Sequence, residues 1–176
     1  MTTLAIERPK ADEHSPYFAR YIDRVPDGNL IALLESQFAD TLALLKRVPR
    51  EREDFAYAEG KWSVKEVVGH LADSERVFAY RALRFARGDA TELAGYDENA
   101  WVANAGFGRQ RLADLVDEFS AVRASTIRFV KSLNAEELAR RGVANGNGIT
   151  VRALVYIIAG HERHHVGLFR ERYQLS

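Results

Sequence analysis

The chain has 176 residues, 25 basic and 25 acidic side chains and no cysteine, so disulfides, thiolate metal sites and cysteine nucleophiles are excluded. A formal net charge of zero argues against a broad electrostatic surface for nucleic acid, and 47% hydrophobic with 28% charged residues is a globular rather than a disordered mix. The stretch Met1 to Glu7 lacks the basic opening and apolar core of a signal peptide, and the apolar run Ala153 to Gly160 is far too short to cross a bilayer. These features lead us to expect a soluble, cytoplasmic, single-domain protein over residues 1–176, with neither nucleic-acid nor membrane partners.

Four segments carry helical periodicity, and nothing alternates convincingly at the strand period. The first, Asn29 to Arg47, places Leu30, Leu33, Leu34, Phe38, Leu42 and Leu45 on one face. The second, Ser63 to Arg87, opens on Ser63 and Glu66, the spacing of a capping box, and Gly88 is a stop signal after it. Between Gly88 and Arg109 lies a connection that is long for a bundle and holds Tyr96, Trp101 and Phe107. Its aromatic content argues for packing, against the mouth of the fold or at an interface, so Tyr96 and Trp101 become candidate walls of a substrate pocket. The third helix, Gln110 to Leu133, carries Leu112, Leu115, Phe119, Val122, Thr126, Phe129 and Leu133 at steps of three and four. A short extra helix is expected from Asn134, with Glu137 three residues on, and Ala144 to Gly148 reads as flexible turn material. The fourth helix, Thr150 to Tyr173, presents Val151, Leu154 and Ile158, then His161, His165 and Leu168. Four amphipathic helices of this length share one core as an all-α four-helix bundle.

Helical geometry sorts the histidines. Residues four apart differ by about 40° of rotation, so His161 and His165 stack on one face and continue the apolar seam into the bundle. His164 lies on the flank and is expected at the surface or behind the site, while His14 falls in a surface loop. His70 sits beside Val67 and Leu71 at the inner edge of its helix. Two readings of these interior rings stay open: hydrogen-bonded core histidines, or ligands His70, His161 and His165 of one divalent ion, which would spare each imidazole an unpaired nitrogen. Three histidines without a fourth protein ligand leave a position for water, the mark of a catalytic site, and suit zinc or nickel among other metals. Glu75, on the apolar stripe, is either the buried partner of an arginine, the reading that 20 arginines favour, or a functional group near the metal. Asp73, one turn beyond His70, is either a surface acid or a group that handles the proton of a metal-bound water. Glu162 is rotated about 100° from His161 and is not read as a ligand.

The segments Lys61-Trp62-Ser63-Val64-Lys65-Glu66, Gly69-His70-Leu71-Ala72-Asp73-Ser74-Glu75-Arg76 and Gly160-His161-Glu162-Arg163-His164-His165 resemble the DinB/YfiT-like superfamily of metal-dependent enzymes. The likeness extends to Tyr80-Arg81-Ala82-Leu83-Arg84 and Gly95-Tyr96-Asp97, and so covers most of the chain. It implies a four-helix bundle of up-down-down-up order, often a homodimer, holding a divalent metal through His70, His161 and His165. Some relatives resemble hydrolases, and others transfer low-molecular-weight thiols held on the metal as thiolate. The resulting expectation is a metal-dependent hydrolase or thiol-S-transferase acting on a small molecule. The rival expectation is a non-catalytic, stress-related metal-binding or dimeric interaction module.

Overall fold

In the computed structural model, which describes residues 5–176, each periodic segment is a helix within two residues of its expected ends. The chain runs α1 (Ala19–Ile22), α2 (Leu30–Leu45), α3 (Val64–Ala86), α4 (Glu98–Ala105), α5 (Leu112–Lys131), α6 (Ala135–Ala139), β1 (Arg141–Ala144), β2 (Asn147–Thr150) and α7 (Val151–Glu171). Met1–Leu4, the start of the stretch read above for a leader, lie outside the described residues. No helix among the described residues is long and apolar enough to cross a membrane.

The helix starts follow from side-chain caps on first-turn amides that have no intrahelical partner. Asn29 accepts from the amides of Ile31 and Ala32, Thr150 accepts from Ala153, and Ser63 and Glu66 form the expected reciprocal box at α3. A second box, Asn134 with Glu137, opens α6. Gly88, at φ 78°, takes the left-handed conformation that ends α3.

Pairs between helices fix the topology as up-down-down-up. Arg76 of α3 meets Glu118 of α5, and Arg87, just past the end of α3, meets Glu137 of α6, just past the end of α5, so α3 and α5 run parallel. Glu35 meets Lys131 while Phe38 meets Phe119, so α2 and α5 run antiparallel. The Tyr173 hydroxyl, just beyond α7, donates to the Trp62 carbonyl just ahead of α3, which makes these two antiparallel as well.

The bundle core is divided by a polar layer. One apolar cluster contains Leu34, Phe78, Val130 and Ile158; the other contains Phe38, Leu71, Phe119 and Phe169. Between them along every helix lie buried polar side chains: Gln37 and Thr41 on α2, His70, Ser74 and Glu75 on α3, Arg123 on α5, and His161, Glu162 and His165 on α7. Arg123 is 1% exposed and donates to Glu75 at 2.7–3.1 Å and to Glu162 at 2.6 Å. Glu162 also accepts from Thr41 at 2.6 Å and from Gln37. Burial alone would lower the Arg123 pKa, but the two carboxylates raise it above its ordinary value. Glu75 thus has the arginine partner expected of it.

Two expectations need correction. The segment after α6 is not loose turn material but an antiparallel hairpin, β1 on β2, with Gly142 opposite Ile149 and Ala144 opposite Asn147. Asn145 and Gly146 both take positive φ, 51° and 71°, which is the turn that matches strand twist. Four-residue strands offer too few alternating positions to register as a period; the Asn-Gly dipeptide was the legible signal. The Gly88–Arg109 connection is not all loop either, since it holds α4, capped by Asp97, and a 3-10 turn over Phe107–Arg109.

Because the Arg123 network joins all four long helices, its partial removal is costly. Arg123→Met should destabilise the protein by about 3–5 kcal/mol in chemical denaturation, as it strands two buried carboxylates. The combined Glu75→Leu, Arg123→Met and Glu162→Leu variant should recover part of that loss.

Candidate metal centre

The histidines of the polar layer converge. His70 from α3 and His161 and His165 from α7 are all buried, and one ligating nitrogen of each lies within 4.8 Å of the others. His161 Nε2 is 3.1 Å from His70 Nε2 and 3.2 Å from His165 Nε2. A neutral imidazole nitrogen carries one lone pair or one N–H, so His161 Nε2 cannot make two ordinary linear hydrogen bonds here. Three nitrogens at tetrahedral positions about 2.0–2.1 Å from a metal lie about 3.3 Å apart, close to the separations found. This donor set fits a divalent ion.

The surroundings keep the rings neutral. Burial lowers the pKa of His70 to about 4, with His164 adding to the shift. Burial and neighbouring rings hold His161 and His165 well below the ordinary histidine range. The ring of Trp62 lies 4.6 Å from that of His70, and Tyr21 and Phe78 sit edge-on to His161 at 5.3 and 5.8 Å. Ser74 Oγ is 3.3 Å from His70 Nδ1 and accepts from the Tyr96 hydroxyl at 3.0 Å. His165 Nδ1 has no hydrogen-bond partner among the described residues.

A cavity of about 410 Å³ opens over the three rings. Its walls come largely from outside the bundle: Tyr17 and Tyr21 from the segment at α1, Tyr96 from the long connection, Asn145 and Asn147 from the hairpin. Two glycines let these pieces approach. A Cβ on Gly160 would lie 2.0 Å from the Tyr21 carbonyl, and one on Gly142 would lie 2.1 Å from the Phe85 ring.

A family model described as the DinB superfamily matches residues 33–169. The chain belongs to the DinB superfamily. Among solved structures, this DinB chain is similar to YfiT from Bacillus subtilis, described as a probable metal-dependent hydrolase with an unusual four-helix bundle topology. The TM-score is 0.73 at 19% identity, over 97% of this chain and 95% of that one. It is also similar to the DinB-like protein YjoA from Bacillus subtilis (TM-score 0.59, 23% identity, 84% and 91% covered). A third likeness is to the mycothiol-dependent maleylpyruvate isomerase (TM-score 0.67, 12% identity, 83% of this chain and 61% of that one). At these identities the likeness speaks to the fold. No curated protein sequence matches the chain significantly.

The other expected site residues of this DinB chain fall in different places. Tyr96 lines the cavity, whereas Trp101 does not: 44% exposed, it lies against the outer side of Tyr96 with ring centroids 4.5 Å apart. Phe107 is buried where Gly69 leaves room beside α3. Asp73 is not among the cavity-lining residues and pairs with Arg76 at 3.2 Å, partly exposed. Burial raises its pKa, against the pull of Arg76. His164 is half-buried, lines the cavity and packs its ring 5.5 Å from Tyr21. His14, half-buried ahead of α1, places Nδ1 2.9 Å from the Ser15 carbonyl. Ser74, Trp62, Tyr21 and the hairpin asparagines carried no periodic signal that set them apart as site residues.

A depressed histidine pKa has a definite sign in stability. The unfolded ring titrates near 6.5 and His70 in the fold near 4. Below the unfolded value the unfolded state binds more protons, so the metal-free protein holds its full stability above about pH 6.5 and loses it as pH falls toward about 4. Denaturation midpoints of metal-free protein at about pH 7.5 and about pH 5 should differ, and less so in His70→Gln.

Proposed function

We propose that this DinB protein is a metal-dependent enzyme acting on a small molecule, with His70, His161 and His165 as its ligands and zinc or nickel as its ion. The observation that carries the reading is the cavity of about 410 Å³ standing directly over three converging imidazoles. A site that only stabilised the fold would be closed by a fourth protein ligand, and among the described residues no such ligand joins the group. When bound, the ion would lower the pKa of a coordinated water or thiol and polarise an electrophile.

The remaining work falls to the chain's own groups. With Nδ1–H donating to Ser74 Oγ, His70 keeps the Nε2 lone pair free, and the Tyr96 hydroxyl holds Ser74 in place. Burial pushes the Tyr96 pKa above its ordinary value, so this hydroxyl stays a donor. Trp62, Phe78 and Tyr21 exclude water from the inner end of the cavity, while Asn145 and Asn147 supply polar contacts at the hairpin. Asp73, paired with Arg76 and not among the cavity-lining residues, is not assigned the proton-handling role. Hydrolysis and thiol transfer both suit these groups, and in the second case the sulfur comes with a low-molecular-weight thiol, since the chain has no cysteine.

Protein purified without a nickel column should contain close to one divalent ion per chain by elemental analysis. His70→Ala, His161→Ala and His165→Ala should each lower metal affinity by more than about a hundredfold, and His164→Ala should leave it largely intact. Ser74→Ala, acting through His70, should cost roughly 10–100-fold in metal affinity or turnover. A screen of the loaded enzyme over thiol conjugates, esters and amides then identifies the reaction. Full metal binding in all three alanine variants would overturn the assignment.

A further inference from the structure

Among the described residues, Arg81 is the one buried arginine or lysine of the cavity wall. It is 6% exposed, lines the same cavity as the three histidines, and pairs with no carboxylate among the described residues. Its single side-chain hydrogen bond runs from Nη2 to the Ala94 carbonyl at 2.8 Å, which holds the guanidinium in place without neutralising it. The Tyr96 ring lies 5.9 Å away. By contrast Arg123, buried to a similar degree, is met by two carboxylates. A buried charge lacking a counter-ion is costly, and such a group in a cavity calls for one supplied from outside. Burial lowers the Arg81 pKa, as it does for a cation with no partner, although Tyr96 opposes the shift.

The position of Arg81 relative to the histidines has a regular basis. His70, Ser74 and Arg81 occupy steps of four and seven along α3, so all three lie within about 40° of one face. Eleven residues separate the Cα atoms of His70 and Arg81 by about 16 Å along the helix. Within the cavity Tyr96 bridges the two, its ring 5.9 Å from the guanidinium and its hydroxyl on Ser74 beside His70, so a small molecule reaches both ends. Besides the three ligand-candidate histidines, the titratable groups facing this space are Arg20 and His164, which add no negative charge, the tyrosines Tyr17, Tyr21 and Tyr96, and Glu98, which forms no ion pair with Arg81.

We propose that Arg81 is a specificity-determining residue that binds a carboxylate of the substrate, at the end remote from the group that reacts over the histidines. The inference rests on the enzymatic reading above for the word substrate, while the binding itself does not. The planar guanidinium retains free N–H groups beyond the one given to Ala94, and a carboxylate matches their fork in plane. Lining from Tyr96, Phe18 and Ile149 suits an alkyl or aryl body between the two ends.

The test uses metal-free protein, so that a carboxylate cannot be captured by the ion. Linear alkanoates of increasing length, their primary amides and the matching alkyl phosphates are titrated by calorimetry and by the NMR signal of the Arg81 Nε–H. Wild type should prefer an alkanoate over its amide by roughly tenfold to a hundredfold, the range for a hydrogen bond to a charged group. The Nε–H signal should shift only with the acid. Arg81→Met should abolish the preference, Arg81→Lys should retain a reduced one, and Arg20→Ala should leave it nearly unchanged. Equal binding of acid and amide to wild type, a preference that survives Arg81→Met, or tighter binding of the phosphates would each overturn the proposal. If Arg81→Met fails to fold, the Arg81→Lys titration and the wild-type Nε–H shift decide. Loss of metal binding with an intact acid preference would remove the enzymatic reading alone; normal metal binding without the preference would remove this one alone.

Discussion

A buried guanidinium shared between two carboxylates governs the middle of this bundle. Arg123 of α5 reaches Glu75 of α3 and Glu162 of α7, and Glu162 in turn is bound by Gln37 and Thr41 of α2. Removing three charges from water is unfavourable unless each keeps its hydrogen bonds, so the network holds only when the four helices stand at one relative height. The converging histidines are neighbours of that network in sequence. Glu162 follows His161, and Glu75 follows Ser74, so a slip of α3 against α7 that misplaced the rings would also break the ion pairs. We read the ionic layer as the gauge that sets the separation of the imidazoles.

The cavity has a different construction. Its floor belongs to the bundle, but α1, the Tyr96 segment and the hairpin wall it. These pieces are pinned by local contacts: Tyr21 over Gly160, Gly142 over Phe85, and Leu93 bonded to Val143 and Asn145 at 2.9 Å. The three histidines therefore sit on rigid bundle helices, while most of the side chains around the cavity come from connecting segments.

The amino-acid order by itself determined the four long helices, their caps and the stacking of His161 on His165, because all of these rest on interactions within a few residues along one helix. The partnership of Glu75 with an arginine was legible too, since a carboxylate on an apolar stripe requires one, but nothing in the order said that Arg123 would supply it. The resemblance carried by the histidine motifs supplied the up-down-down-up order that periodicity cannot express. Only the tertiary structure decided the rest. Strands of four residues, Arg141–Ala144 and Asn147–Thr150, are too short to announce themselves, and they exist because each pairs with the other across a turn. Trp101 and Tyr96 looked alike as aromatics of one connection, yet Trp101, on α4, is 44% exposed, while Tyr96, ahead of that helix, lines the cavity. Asp73 and Ser74 are adjacent, but the step of about 100° between them sends one to Arg76 and the other to His70. Which side chain meets a cavity depends on contacts between segments far apart in the chain, and those become definite only when the helices pack.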